Sequence, residues 1–162
     1  MNTNTDNTST RGRLEFVSAN AKGTGSAIRM NVFPASGDAP GFVLASLARQ
    51  DSVTGRSFNW TDTVDLRLDR SDLSQILQVL RGMQESVNDG RGLYHQGDRG
   101  CSLVFFNHQI EPHPGYRFSV DKVCQTGEQR KASYFFGQDE AFTLMLALER
   151  AMFYVCFGVP QV

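Results

Sequence analysis

Cationic and aromatic side chains recur along the segments of this chain that are predicted to be β-strands. Trp and Tyr rings offer flat faces on which unstacked bases can stack, while Arg and Lys can hold phosphate groups. The residues of this kind are Lys22, Arg29, Arg49, Arg56, Trp60, Tyr116, Arg117, Lys122, Lys131 and Tyr134. Alternatively, Trp60 and Tyr134 are core aromatics and the cations form an ordinary solvated surface. Composition alone favours this alternative.

The pair Gly23-x-Gly25 is similar to part of a nucleotide-binding glycine loop. The third glycine of that fingerprint is missing, and the segment leads into a predicted strand. No helix N-terminus would therefore face a phosphate group. A dinucleotide site or a P-loop is not expected here.

Histidines and carboxylates lie close together in two parts of the sequence. His108 and His113 flank Glu111 in a Pro-containing loop, but a closed metal site needs about four ligands and no others are near in sequence. Asp65 and Asp69 fit a solvated strand face and a helix start, so they do not form an acid–base pair. No local signature joins a Ser or Cys nucleophile to a His. We therefore predict no bound metal, no cofactor and no enzymatic activity.

The totals limit the class of protein. The chain has 162 residues, a formal net charge of −1 and three cysteines. Its length fits one domain, or two small halves around a shared core. The charge argues against binding to polyanions by bulk charge, which weakens a duplex-DNA function. Cys101, Cys124 and Cys156 form no Cys-x-x-Cys motif, so we expect reduced thiols and a cytoplasmic location.

The sequence divides into a short tail and two similar half-units. Residues 1–13 are polar and rich in Asn and Thr, which predicts a disordered tail rather than a signal or transit peptide. Residues 14–162 are predicted to be a single domain, with half-units at about 14–82 and 92–158. Each half-unit has four short strands and one helix. Because one helix covers only one face of a sheet, the other face stays available for binding.

Hydrophobic periodicity predicts the elements of each half-unit. In the first, strands are expected at 27–32, 42–48, 58–61 and 64–69, followed by a helix that Asp69 or Ser71 caps and Gly82 ends. In the second, strands are expected at 93–95, at 102–108, from 115 onward and at 131–136. The last helix is expected to begin at Gln138 or Asp139.

The last predicted helix is apolar on more than one face. Glu149 and Arg150 interrupt it, and its apolar run is shorter than the ~20 residues of a membrane span, so we predict a buried helix. A helix that covers one sheet needs only one apolar stripe. The surplus predicts contact with a second copy of the chain. The alternative is that the two helices pack on each other within one chain.

Several short segments, in order along the chain, resemble the Whirly family of single-stranded DNA-binding proteins. Lys-Gly-Thr-Gly-Ser-Ala-Ile at 22–28 is similar to the family's Lys-Gly-Lys-Ala-Ala-Leu signature, and Gly-Phe-Val-Leu at 41–44 to its second strand. Phe-Asn-Trp at 58–60 and Val-Asp-Leu-Arg-Leu at 64–68 resemble its Tyr-Asp-Trp segment and the strand before its first helix. Phe-Ser-Val at 118–120 falls where the family has Leu-Ser-Val. The resemblance covers nearly the whole chain after the tail.

This resemblance implies an α+β fold of two packed antiparallel four-stranded sheets, with helices that join protomers into a homotetramer. It implies largely sequence-independent binding of single-stranded DNA in replication, recombination, repair or transcription. Lys22, Ser26 and Trp60 are assigned to the DNA surface most directly, and the second-half residues follow by position. Thr24 replaces the family's second lysine, which weakens the expectation of rings of tetramers. The short tail indicates a bacterial or phage origin.

Two other functions stay open at this point. The same fold serves RNA-binding proteins of the kinetoplastid guide-RNA system, so RNA is the nearest alternative ligand. A non-catalytic protein-interaction module is the second alternative. A membrane partner is not expected.

Overall fold

Two four-stranded sheets and two helices, in the order ββββα–ββββα, make up the computed structural model, which describes residues 13–160. The first half-unit contains β1 (Arg13–Ser18), β2 (Ser26–Phe33), β3 (Phe42–Arg49), β4 (Val64–Leu68) and α1 (Arg70–Leu80). The second contains a 3-10 turn (Val87–Gly90), β5 (Leu93–Gly97), β6 (Gly100–Gln109), β7 (Gly115–Cys124), β8 (Gln129–Gly137) and α2 (Gln138–Phe157). The predicted fold class is confirmed.

Strand order in each sheet follows the sequence, and every neighbouring pair is antiparallel. This arrangement needs only short connections between strands. Of the predicted tail, only Arg13 lies within the described residues, where it begins β1. The rest of that tail lies outside them.

The prediction for the first sheet was wrong at two of its strands. The sheet begins with β1, where buried Phe16 alternates with exposed Glu15 and Val17. With one buried residue against three in β4, the alternation of β1 is too weak to predict a strand. Residues 58–61 are not a strand, because Phe58 makes only an isolated bridge to Gln50 and Trp60 lies in a turn. The aromatic residues there favoured a strand by composition. The segment is instead a loop, and the Trp60 ring packs against Arg29 on the face of the first sheet.

Helix α1 begins and ends where the sequence predicts. The Asp69 side chain accepts a hydrogen bond from the Asp72 N–H at 3.0 Å, and the Asp72 carboxylate accepts one from the Asp69 N–H at 2.9 Å. This capping box satisfies two of the N–H groups that a helix start leaves unpaired. Gly82 follows the helix at a φ of +73°, a conformation that favours glycine.

Side chains from the inner faces of the two sheets meet in one core. Phe16 of β1 packs edge-on against Phe136 of β8 with ring centroids 5.3 Å apart, and Tyr134 packs on Phe136 at 4.8 Å. All three rings are buried. Strand β8 therefore contributes aromatic residues to the contact between the sheets.

Long cationic side chains of one sheet also bond to backbone carbonyl groups of the other half-unit. Arg49 Nη2 donates to the carbonyl oxygen of Lys131 at 2.8 Å, and Lys122 Nζ to that of Asp65 at 3.0 Å. Arg130 Nη1 likewise donates to the carbonyl oxygen before β4, at residue 63, at 3.0 Å. These bonds hold the rims of the two sheets together, outside the apolar core.

Helix α2 covers the core with one face and leaves a second apolar stripe exposed. It also packs on α1, where Arg81 and Glu149 form an ion pair. The large apolar side chains on its outer face are Phe142, Leu146, Phe153 and Phe157, which are 45–77% exposed. Packing between the two helices therefore does not use up the surface. No helix among residues 13–160 is long and apolar enough to cross a membrane.

Candidate nucleic-acid interface

A groove of about 710 Å³ lies where the end of the first sheet meets the second sheet. The start of β2 and the end of β3 form one wall, and strands β6, β7 and β8 form the other. Its lining includes Ser26, Arg49, Phe105, Ser119, Lys131 and Ser133. Two cations, three hydroxyl groups and one aromatic ring therefore share one open groove.

Arg49 and Lys131 supply the positive charge of this groove. Both side chains are exposed, and the Arg49 guanidinium is fixed by its bond to the Lys131 carbonyl oxygen. Lys131 Nζ lies 3.6 Å from Asp121, which is also in the lining. A surface ion pair of this kind contributes little free energy, so an incoming phosphate group can compete for Lys131.

Lys22 lies in the β1–β2 loop, directly before Gly23, which lines the groove. Its side chain is exposed. The loop turns tightly against the chain at Gly25, where a Cβ atom would lie 2.2 Å from the backbone oxygen of Ser18. The sequence therefore needs glycine there for close backbone approach rather than for a nucleotide fingerprint.

Arg29 and Trp60 form a stacked pair on the outer face of the first sheet. The Arg29 guanidinium lies 3.5 Å from the centroid of the Trp60 ring, and its Nε donates to the Glu15 carboxylate. Trp60 is partly exposed, which agrees with a surface role. Arg29 already has a carboxylate partner, so its contribution is to hold the indole ring in place.

A second aromatic stack on this face was missed by the sequence analysis. The rings of Phe33 and Phe42 lie parallel with centroids 4.7 Å apart, and the Arg67 guanidinium lies 3.9 Å from the Phe42 centroid. The register places Phe33 opposite Phe42 on neighbouring strands. The even spacing of Phe33 with Arg29 along β2 was the available signal, because residues two apart share a face.

Three further predicted cations lie apart from the groove. Arg117 is exposed on the outer face of the second sheet, 5.6 Å from the centroid of the Phe135 ring. Arg56 is exposed in the loop after β3, with a positive φ of 48°. Lys122 points toward the first half-unit and donates to the carbonyl oxygen of Asp65.

Two of the predicted stacking residues face inward, which corrects that part of the prediction. Tyr134 is 1% exposed, and its hydroxyl donates to Glu140 at 2.9 Å. Burial raises the pKa of Tyr134, and the hydrogen bond to Glu140 raises it further. Tyr116 is partly buried and stacks on Phe106 with centroids 5.7 Å apart. Each tyrosine is separated by an even number of positions from buried residues of its own strand (Phe118 and Val120 on β7, Phe136 on β8), so it points to the same inner face.

Phe105 is the groove residue that sequence reasoning missed. It lies in an unbroken apolar run between Val104 and Phe106, both of which are fully buried. Such a run hides the alternation between the two faces of a strand. The one available signal was parity: with Phe106 in the core, Phe105 must point to the other face.

An ion pair joins the two half-units away from the groove. His95 Nε2 of β5 lies 3.2 Å from Asp72 Oδ1 at the start of α1, and the Asp72 side chain is only 7% exposed. The close contact with Asp72 raises the pKa of His95, with added attraction from Asp69, while burial acts in the opposite direction. Within residues 13–160, no three His, Cys, Asp or Glu side chains cluster closely enough to hold a metal ion.

This architecture is similar to that of several solved structures. No protein-family model and no curated protein sequence matches the chain. WHY1 from Arabidopsis thaliana aligns with a TM-score of 0.71 at 13% identity, covering 91% of this chain and 87% of that one. The chain has a Whirly-like fold. The resemblance seen in the short motifs is therefore confirmed at the level of the fold.

Other solved structures share the Whirly-like fold. The plant transcriptional regulator PBF-2 aligns with a TM-score of 0.67 at 14% identity, covering 89% of this chain and 82% of that one. A guide-RNA-binding protein complex bound to a guide RNA aligns with a TM-score of 0.65 at 17% identity, covering 89% and 91%. Identities this low describe a shared architecture, and function must be argued from the groove itself.

Proposed function

We propose that this protein binds single-stranded DNA, largely without sequence preference, in the groove between its two sheets. The observation that carries the proposal is that Arg49 and Lys131 stand in the same groove as the ring of Phe105. A base can stack on the ring while neighbouring phosphate groups pair with the cations. Neither contact depends on which base is present. The Whirly-like fold supports the same proposal by analogy.

A single strand suits this groove better than a duplex does. The bases of a duplex are already stacked and paired, so they gain nothing from an aromatic ring unless the strands separate. The net charge of −1 gives no overall attraction to the polyanionic duplex. We therefore expect much weaker binding to duplex DNA.

The two cations of the groove and the adjoining Lys22 set an expectation for the dependence of affinity on salt. If Lys22, Arg49 and Lys131 each neutralise one phosphate group, about three counterions are displaced. For single strands each contact contributes about −0.7 to the slope of log K against log salt concentration, so the slope should be near −2. Stacking should contribute about 1–3 kcal/mol per base and be nearly independent of salt.

RNA is the second candidate ligand. The observation in its favour is that one solved structure with this fold is a guide-RNA-binding protein complex bound to a guide RNA. Stacking and phosphate contacts are available to both nucleic acids, whereas the 2′-hydroxyl group distinguishes them. Ser26, Ser119 and Ser133 place hydroxyl groups in the groove that could bond to it. A direct comparison of DNA with RNA decides between them.

We further propose that the protein is non-catalytic and that its copies assemble through α2. The exposed stripe of Phe142, Leu146, Phe153 and Phe157 supports contact with further copies, since exposed apolar patches of this kind mark interfaces. A homotetramer is the assembly that the family resemblance implies. Phe153 lies on this outer stripe and is 45% exposed, so it is a suitable site for a test.

Titration of fluorescently labelled oligonucleotides tests the proposal. We expect tight binding to a thymidine oligomer, similar affinity for other single-stranded sequences, and much weaker binding to the matching duplex. Arg49→Ala and Lys131→Ala should weaken binding and flatten the salt slope. Arg91→Ala, which removes an exposed cation outside the groove lining, is the matched control. Equal affinity for single strand and duplex, or no affinity for either, would contradict the proposal and favour the alternative function of a protein-interaction module.

A further inference from the structure

We infer that the side chains of Gln50 and Asn20 act as positioning residues for Lys22, so that the β1–β2 loop is ordered before nucleic acid binds. The inference deepens the proposed function and rests on it. Gln50 is not among the candidate residues of the sequence analysis.

The Gln50 side chain lies between two loops and is 7% exposed. Its Oε1 atom accepts from the N–H groups of Asn20 at 2.9 Å and Gly25 at 3.1 Å. Its Nε2 atom donates to the carbonyl oxygens of Asn20 at 3.0 Å and Ser52 at 2.9 Å. An amide side chain has two donors and two acceptor positions, and Gln50 uses all four. A fully bonded buried amide fixes the groups around it.

Asn20 continues this network to Lys22. The Asn20 Oδ1 atom accepts from the N–H groups of Lys22 at 3.1 Å and Thr24 at 3.0 Å. Its Nδ2 atom donates to the Thr24 hydroxyl at 2.9 Å. The backbone of Lys22 is therefore connected through Asn20 to the buried amide of Gln50.

The network determines how this loop can hold a phosphate group. The N–H groups of Asn20, Lys22, Thr24 and Gly25 all donate within the protein. These four N–H groups are already used within the protein, so we expect the Lys22 ammonium group to make the phosphate contact. An ordered loop lowers the entropy lost when that contact forms.

A double-mutant cycle tests whether the amides act through Lys22. The probe is a labelled thymidine oligomer, titrated over a range of salt concentrations with the full chain. The variants are Lys22→Ala, Asn20→Ala, Gln50→Ala, and each amide variant combined with Lys22→Ala. Gln75→Ala is the matched control, because Gln75 lies on α1 outside the groove lining and its Oε1 atom accepts from Gln84 Nε2 and the Asn88 N–H.

Losing one phosphate contact should make the salt slope shallower by about 0.7. The factor by which the variant binds more weakly than wild type should therefore be about fivefold greater at 0.1 M salt than at 1 M salt. We expect Lys22→Ala to show this loss, and Asn20→Ala and Gln50→Ala to show much of it. Neither amide variant should weaken binding further when Lys22 is already Ala. Gln75→Ala should lower the melting temperature and leave the affinity and salt slope unchanged.

Additive losses in the double variants, or unchanged binding in the single amide variants, would overturn the inference while the proposed function stands. Absence of binding by the wild-type protein would overturn both. If Gln50→Ala does not fold, the Asn20 pair decides, because the Asn20 side chain is exposed and its removal leaves the core intact.

Discussion

Replacing His95 with Ala should destabilise the protein more at acidic than at alkaline pH. In the folded chain His95 Nε2 lies 3.2 Å from the buried carboxylate of Asp72, which also caps α1. The contact raises the pKa of His95 above its ordinary value of 6.5. A group whose pKa is raised on folding stabilises the folded state fully below its unfolded pKa. That contribution is lost as the pH rises through the folded pKa.

The magnitude follows from the geometry of the pair. His95 and Asp72 attract each other as an ion pair when the imidazole is protonated, and a partly shielded pair contributes more than the roughly 0.2–1 kcal/mol typical of a fully exposed one. The His95 side chain is 29% exposed, and solvent screening reduces such a contribution to roughly 1 kcal/mol. For a domain of this size, that difference shifts the melting temperature by about 2–4 °C.

Urea unfolding followed by Trp60 fluorescence measures the effect, at fixed protein concentration because assembly changes apparent stability. The free energy of unfolding lost in His95→Ala should be greater by roughly 1 kcal/mol at a pH below 6.5 than at a pH well above it. His113→Ala, which removes an exposed imidazole from the β6–β7 loop, is the control. Equal destabilisation by His95→Ala on both sides of the transition, or more at high pH, would refute the reasoning.

Three further predictions concern the groove, the core and the outer helix face. Phe105→Ala should weaken oligonucleotide binding about 5- to 150-fold with an unchanged salt slope, since stacking contributes about 1–3 kcal/mol per base; a flattened slope would contradict this. Tyr134→Phe should lower the free energy of unfolding by about 1 kcal/mol through loss of the bond to Glu140, which denaturant titration can check. Phe153→Arg should reduce the mass measured by sedimentation while circular dichroism stays unchanged, and an unaltered mass would exclude that residue from the interface.

Strong local patterns made much of the fold predictable. The capping box at Asp69, the glycine after α1 and the alternation along β4 each combine a side-chain pattern with a specific backbone need. β1 lacked such a signal because its alternation includes only one fully buried residue, Phe16. Residues 58–61, which include Trp60, were wrongly predicted to be a strand, because aromatic composition cannot distinguish a strand from a loop that lies over a sheet.

The candidate site was less predictable because it depends on tertiary contacts. Lys22, Arg49 and Lys131 are far apart in sequence, and only the packing of β8 near the end of β3 brings the last two together. Tyr134 was expected at the binding surface and is buried, whereas Phe105, which the sequence analysis did not name, lines the groove. The inferred role of Gln50 depends on its hydrogen bonds to residues 20 and 25. These residues are at least 25 positions away in sequence, so no local pattern reveals the bonds.

The bonds between the rims of the two sheets have a consequence for evolution. Arg49, Lys122 and Arg130 each donate to a main-chain oxygen of the other half-unit. A main-chain acceptor is present whatever residue occupies its position. Mutation of the accepting residue therefore preserves the bond, and only the donor is constrained. A fold joined in this manner can diverge widely in sequence while its sheets keep their arrangement, and this chain is 12–17% identical to solved structures that share its fold.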